Sequence, residues 1–256
     1  MNCERPYYID ISYRPFIFYI VFGVKDDSEP TVSVERHGVR GFPEGLEFRM
    51  LHRGEHGDYM DSLMCGAYGE MLEQENAALY EKIRRAERWV LVSGEIQQDD
   101  TLEYFKSCIG IVQAICENGA EGVLDLQTIT LYSPQDWHDK VFAAEFEPVK
   151  ATIIMASRTD NGLWLHTRGM RKFGRPDIGI EGIPENDLQT AAEIAEQMIR
   201  YSAMGAVFTQ GAVFCISGGR SYSVNPEFVP DFDNDDFNNA YYRIKWAECS
   251  LRPDED

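Results

Sequence analysis

Residues 89–132, WVLVSGEIQQDDTLEYFKSCIGIVQAICENGAEGVLDLQTITLY, decide the fold class. Trp89-Val90-Leu91-Val92 is a short apolar run rich in β-branched residues, which suits a strand. Leu102, Phe105, Ile109, Val112 and Cys116 then recur at helical spacing, and Asp100 with Glu103 has the form of a capping box at the start. Asn118-Gly119 supplies the stop, because these residues take the left-handed conformation that ends a helix. Val123–Tyr132 reads as a second strand. After it, Ser133, Pro134 and Asp136 are an N-cap, a first-turn proline and a first-turn acid, opening a short helix near Trp137. The stretch is a strand, helix, strand unit.

Toward the C-terminus, Thr152–Ser157 and Leu163–Thr167 read as strands joined at Asn161-Gly162, the pair that favours a tight hairpin. A helix over Asn186–Met204 follows, with Leu188, Ala191, Ala195, Met198 and Ser202 on one side and Gly205 as its stop. Ala212–Ile216 and Tyr241–Trp246 read as strands flanking an acidic loop. Toward the N-terminus, Ile17–Phe22 reads as a strand and Lys25–Pro30 as a turn, giving a β-rich layer. Tyr68–Arg88 reads as a surface helix with Leu72, Leu79, Ile83 and Ala86 on its apolar stripe. This order predicts an α+β fold: a mostly antiparallel sheet with helices packed on one face, ferredoxin-like strand-helix-strand units, and an N-terminal β-rich extension. Short linkers predict a single domain over 1–256, with a candidate subdivision into 1–67 and 68–256.

The chain has 256 residues, 44% hydrophobic and 12% aromatic, which is enough apolar material for a packed core. Its 24 basic and 43 acidic residues give a net charge of -19, so nucleic acid and anionic membrane surfaces are disfavoured as partners. The apolar run Phe16–Val24 is shorter than the about 20 residues that span a bilayer, and Met1–Asp10 lacks the character of a secretory signal. Six scattered cysteines form no C-x-x-C pair. A reducing cytoplasm is the expected compartment.

Trp164–Asp177 is the most unusual segment. Arg168, Arg171, Lys172 and Arg175 crowd together in an otherwise acidic chain, beside His166, Gly169 and Gly174. Guanidinium forks recognise carboxylate and phosphate, and glycine frees backbone amides to approach an anion. Trp164 and Phe173 would add an apolar platform. The plainer expectation is that the cations pair with the protein's own acids. His166 shares a strand face with Trp164 and Arg168 and has the chemistry of an acid or base, and Asp125 is placed to orient it across a sheet. A buried Asp-His contact is more often structural, and no G-x-S-x-G elbow accompanies it.

Three further groups read as structural. Ser217-Gly218-Gly219-Arg220-Ser221 is a turn between strands, lacking the phosphate-loop pattern. His52, His56 and Asp58 carry metal-binding side chains, but Gly54 and Gly57 argue for a loop. Asp231–Asp236 begins like a calcium loop and fails where glycine and glutamate are required. No metal site and no cofactor is expected. Cys108 and Cys116 lie among apolar helix positions and read as core residues.

The segment Leu165–Ile178 resembles one recurring in bacterial proteins of a domain-of-unknown-function family, with the pattern T-x-G-M-x-x-F-G-x-P-D/E-I. The likeness extends loosely over Trp89–Ile216 and leaves Met1–Arg88 uncovered. It implies a bacterial α+β protein and transfers no catalytic residue.

The leading functional expectation is a binding or interaction module. It would hold an anionic small molecule or acidic partner through Arg168, Arg171, Lys172 and Arg175, with Trp164 and Phe173 as apolar contacts. The alternatives are a hydrolase or transferase on a small anionic substrate, using His166 and Asp125, and a structural subunit of an oligomer.

Overall fold

Apolar residues on both faces make Phe16–Phe22 a strand (β1), and the computed structural model places it in the middle of a sheet. The structure describes residues 3–11, 14–216, 220–248 and 250–251. After β1 come α1 (Val34–His37), β2 (Glu47–His52), α2 (Arg53–Leu63), α3 (Gly66–Arg84), β3 (Arg88–Glu95), α4 (Glu103–Cys116), β4 (Gly122–Asp125), β5 (Thr130–Tyr132) and α5 (Pro134–Trp137). The remaining elements are β6 (Ile153–Thr159), β7 (Gly162–Arg168), β8 (Asp177–Ile183), α6 (Leu188–Ala203), β9 (Ala212–Ile216), β10 (Arg220–Val224), β11 (Glu227–Val229), β12 (Tyr241–Lys245) and β13 (Ser250–Leu251). The chain forms two units, one of Arg14–Phe146 with the first three residues, the other of Glu147–Asp256 with residues 4–13. The boundary expected at 67/68 falls instead inside α3.

The first unit holds a five-stranded antiparallel sheet in the order β2-β3-β1-β4-β5. Its first four strands have the ferredoxin-like order, with α4 linking β3 to β4. Between β1 and β2 there is only the single turn of α1, and the longer helices α2 and α3 lie between β2 and β3. Alternation sends Ile20, Phe22, Leu51, Trp89, Leu91 and Leu124 to one face, where they bury against Leu72, Tyr80 and Ile83 of α3. Phe22 and Trp89 meet edge to face at 4.7 Å, a geometry that adds about 1 kcal/mol to the burial. The opposite face carries Tyr19 and Val21 beneath α4, which is buried at Tyr104, Phe105 and Ser107 through Cys116. Helices therefore cover both faces of this sheet, where the sequence led to an expectation of one.

Several local expectations change. Leu102 is the N-cap of α4, so Asp100 forms no capping box. Val123–Tyr132 is a hairpin, because Oδ1 of Asp125 accepts the backbone N–H groups of Gln127 (3.1 Å) and Thr128 (3.4 Å) and turns the chain. The expected loop at His52–Asp58 is the start of α2, with non-helical dihedrals at His56. Buried Met60 and the Arg53 guanidinium, 2.8 Å from Asp61, hold this helix in spite of its two glycines. Helix α3 breaks at Asn76, whose side-chain oxygen accepts the N–H of Leu79 and restarts the helix.

In the second unit β6, β7 and β8 form an antiparallel meander, β12 adds parallel to β8, and β11 pairs with β12 at the edge. Gly162, with φ 113, turns β6 into β7 as the Asn-Gly pair predicts. Helix α6 buries Ala191, Ile194, Ala195, Met198 and Ile199. A second sheet, ordered β13-β10-β9, completes the unit. No helix among the described residues is long and apolar enough to cross a membrane.

Candidate functional site

Strand alternation in β7 separates Leu163, Leu165 and Thr167 from Trp164, His166 and Arg168. The register places Gly179 of β8 beside both His166 and Arg243, and Glu181 beside Lys245. One face of the second unit's five-stranded sheet thus gathers Trp164, His166, Arg168, Gly179, Glu181, Tyr241, Arg243 and Lys245. On it the Trp164 and His166 rings stack at 4.1 Å and 20°, and Phe237 stacks on Tyr241 at 4.1 Å and 6°. A Cβ at Gly179 would lie 3.3 to 3.5 Å from Phe237, Tyr241 and Trp164, so the absence of a side chain there lets the aromatic cluster settle on the strand.

At one end of this face a groove of about 670 Å³ is lined by Thr159, Asn161, Trp164, Glu181, Gly182, Lys245, Trp246 and Ala247. The indole Nε1 of Trp246 donates to Asp187 at 3.2 Å, which fixes its ring. Glu181 lies 3.4 Å from the Arg243 guanidinium, and Lys245 is exposed at the rim. Two indoles, the Lys245 side chain and amide and hydroxyl groups thus line the groove. Sequence reading identified Trp164 and missed Trp246 and Lys245, which join it only through the parallel pairing of β12 with β8.

The basic segment has a different role. Arg168, Lys172 and Arg175 are buried. Arg168 donates to the Asp235 carbonyl, and Lys172 Nζ to that of Ala151 at 2.7 Å. Arg171 donates to the carbonyl and side-chain oxygens of Asn238 at 3.1 and 2.8 Å. Arg175 donates to the carbonyls of Gly174, Ile9 and Gly205, each at 2.8 Å. Arg5 does the same to Ala203 (3.0 Å) and Phe173 (2.9 Å), and both guanidiniums lie over the Tyr8 ring, at 5.4 and 5.5 Å. Through these main-chain oxygens Arg5 and Arg175 clasp the N-terminal segment, the end of α6 and the Met170–Phe173 turn, while Arg168 and Arg171 tie β7 and that turn to the Asp235–Asn238 loop. Phe173 is fully buried and offers a ligand no platform.

The same segment closes on Asp177. Its carboxylate accepts from the Thr167 hydroxyl (2.8 Å), the Met170 N–H (3.3 Å) and the Asn239 amide (2.8 Å). Complete burial pushes this carboxyl up to about 7, against the lowering effect of those three donors. Gly169 (φ 108) and Gly174 (φ 59) take the left-handed conformation at either end of the turn. Thr167, Gly169, Met170, Phe173, Gly174 and Asp177 thus each have a structural reason to occupy the motif.

His166 and Asp125 do not pair across a sheet. They belong to different sheets of different units. Asp125 is buried and engaged by the hairpin it turns. Burial pushes the His166 imidazole below its ordinary value, with Asp236 opposing and Arg168 adding to the shift. Among the described residues no three His, Cys, Asp or Glu side chains are grouped to hold a metal. His56 Nδ1 accepts the His52 N–H at 3.3 Å. In the Asp231–Asp236 segment, Asn234 links to Asp231 and to the Asp236 N–H. Burial raises the thiols of Cys108 and Cys116, the latter to about 12, as core cysteines should behave. Of the turn expected at Ser217–Ser221, residues 217–219 lie outside the described residues. No family model, curated protein or solved structure matches the chain.

Proposed function

We propose that the protein is a binding module that takes a planar, anionic small molecule in the groove between Trp164 and Trp246. The observation that carries this reading is the convergence of two indoles with the Lys245 ammonium on one groove of about 670 Å³. Small-molecule sites have about this size and this mix of aromatic walls with few polar groups. The rings would stack on the ligand's plane, and Lys245 would meet its carboxylate or phosphate as a point charge. Arg243 offsets the Glu181 carboxylate that would otherwise repel the anion. This moves the anion site expected at 168–175 along the same sheet face and keeps Trp164 in it.

The proposal places the protein in a reducing cytoplasm, supported by free thiols at Cys65, Cys108, Cys116 and Cys215. The net charge of -19 supports a small ligand over nucleic acid. Kinship with the bacterial family suggested by Leu165–Ile178 remains part of this proposal, and the motif's structural roles agree with its lack of catalytic residues. Titration calorimetry with adenosine monophosphate and with benzoate tests the site. Binding should weaken at least about tenfold in Trp164→Ala and several-fold in Lys245→Gln. Absence of heat from both ligands, or an unchanged Trp164→Ala affinity, overturns the reading.

A further inference from the structure

Helix α4 does not cover the whole of its face of the first sheet. Toward the β2 edge, Phe48 and Met50 share that face with Val90, and the uncovered strip forms a cavity of about 390 Å³. Ile115 of α4 closes one side and Phe42 another. Phe42 and Phe48 meet edge to face at 5.9 Å and are 63% and 44% exposed, so two phenyl rings face water at the mouth of an apolar hole. The mouth is acidic. Asp26, Asp27 and Glu29 line it, Asp27 being paired with the Arg88 guanidinium at 3.0 Å, and no lysine or arginine is among the described residues that line the cavity. The Asp26 carboxyl is held below its ordinary value by the Ser28 hydroxyl and N–H and by the Asn118 amide, so it is ionised at neutral pH.

We propose that this cavity is a site for a small organic cation with an apolar body, an alkyl- or arylammonium. The volume suits a compact ligand and not a peptide helix. Apolar walls would desolvate the body, while the acidic mouth and the exposed phenyl faces would attract the ammonium. The chain's net charge of -19 adds long-range attraction for the same sign of ligand. The site lies wholly in the first unit and is independent of the groove between Trp164 and Trp246.

Ligand-observed NMR with 3-phenylpropylammonium, 3-phenylpropanol and 3-phenylpropanoate separates the contributions, because the three share one body. The ammonium should bind about tenfold more tightly than the alcohol and weaken as salt is added, and the carboxylate should not bind. Phe42→Ala, at a position 63% exposed, should weaken the ammonium about fivefold, and Glu29→Gln about threefold. Equal affinity for ammonium and alcohol overturns the proposal. So does no binding by either, or ammonium binding that Phe42→Ala leaves unchanged.

Discussion

Replacing Arg175 by alanine tests whether the basic segment is a clasp or a ligand site. Arg175 is 1% exposed and its guanidinium donates to three main-chain carbonyls at 2.8 Å, two of them distant in sequence. Hydrogen bonds from a charged donor contribute about 1.5–3 kcal/mol each. They are not additive, and the cost of burying the charge offsets part of the sum. A net loss of about 3–4 kcal/mol follows from these limits, which in a domain of this size lowers the melting point by roughly 10–20 °C. Calorimetry reads the loss, and tryptophan emission assigns it, because Trp164 and Trp246 lie in the second unit and Trp89 and Trp137 in the first. Arg175→Lys should recover less than half, since one ammonium cannot reproduce a planar fork. An Arg175→Ala protein melting within about 2 °C of the parent would refute the clasp and return the guanidinium to the candidates for ligand binding.

Asp177 gives a pH dependence. Its carboxyl titrates near 7 in the folded chain against an ordinary 3.8, so the native state holds a proton that the unfolded chain releases across that window. Stability should fall as pH rises from about 4 to about 7, by on the order of 4 kcal/mol, and Asp177→Asn should flatten the slope; an equally steep slope in the variant would assign it to other groups. At the Gly45–Gly94 contact, a Cβ on either residue would sit 1.9 Å from a carbonyl oxygen, and both have positive φ. Gly94→Ala should cost about 3 kcal/mol or more in denaturant melts, and a neutral effect would contradict the packing of β3. Alkylation of the native protein followed by peptide mapping should label exposed Cys65 and Cys215 and spare Cys108 and Cys116 until unfolding, with native labelling of Cys108 counting against a closed α4 layer.

Where one apolar period runs unbroken, the sequence is a direct guide to the fold. Strand β1, helices α4 and α6, and the β6–β7 hairpin all follow from spacing and from Asn161-Gly162. Strand β8 was hidden because Gly179 and Gly182 weaken its apolar pattern, though Gly179 is what the aromatic cluster requires. The division of Val123–Tyr132 depends on one carboxylate capturing two amides at Asp125, which composition does not announce. The unit boundary was missed because residues 4–13 belong with the C-terminal half, tied there by Arg5 and Arg175. Charge counting marked 168–175 correctly as unusual. It could not tell a ligand's oxygen from a main-chain carbonyl, and that distinction moved the candidate site to Trp246 and Lys245.

The most direct test of the groove is a ¹H–¹⁵N spectrum of the tryptophan indoles, each assigned by a Trp→Phe variant, recorded as adenosine monophosphate is added. The account predicts that the Trp164 and Trp246 indole resonances shift together along one saturating curve while those of Trp89 and Trp137 stay fixed. Shifts confined to Trp89 or Trp137, or four unmoved resonances at millimolar ligand, would contradict it.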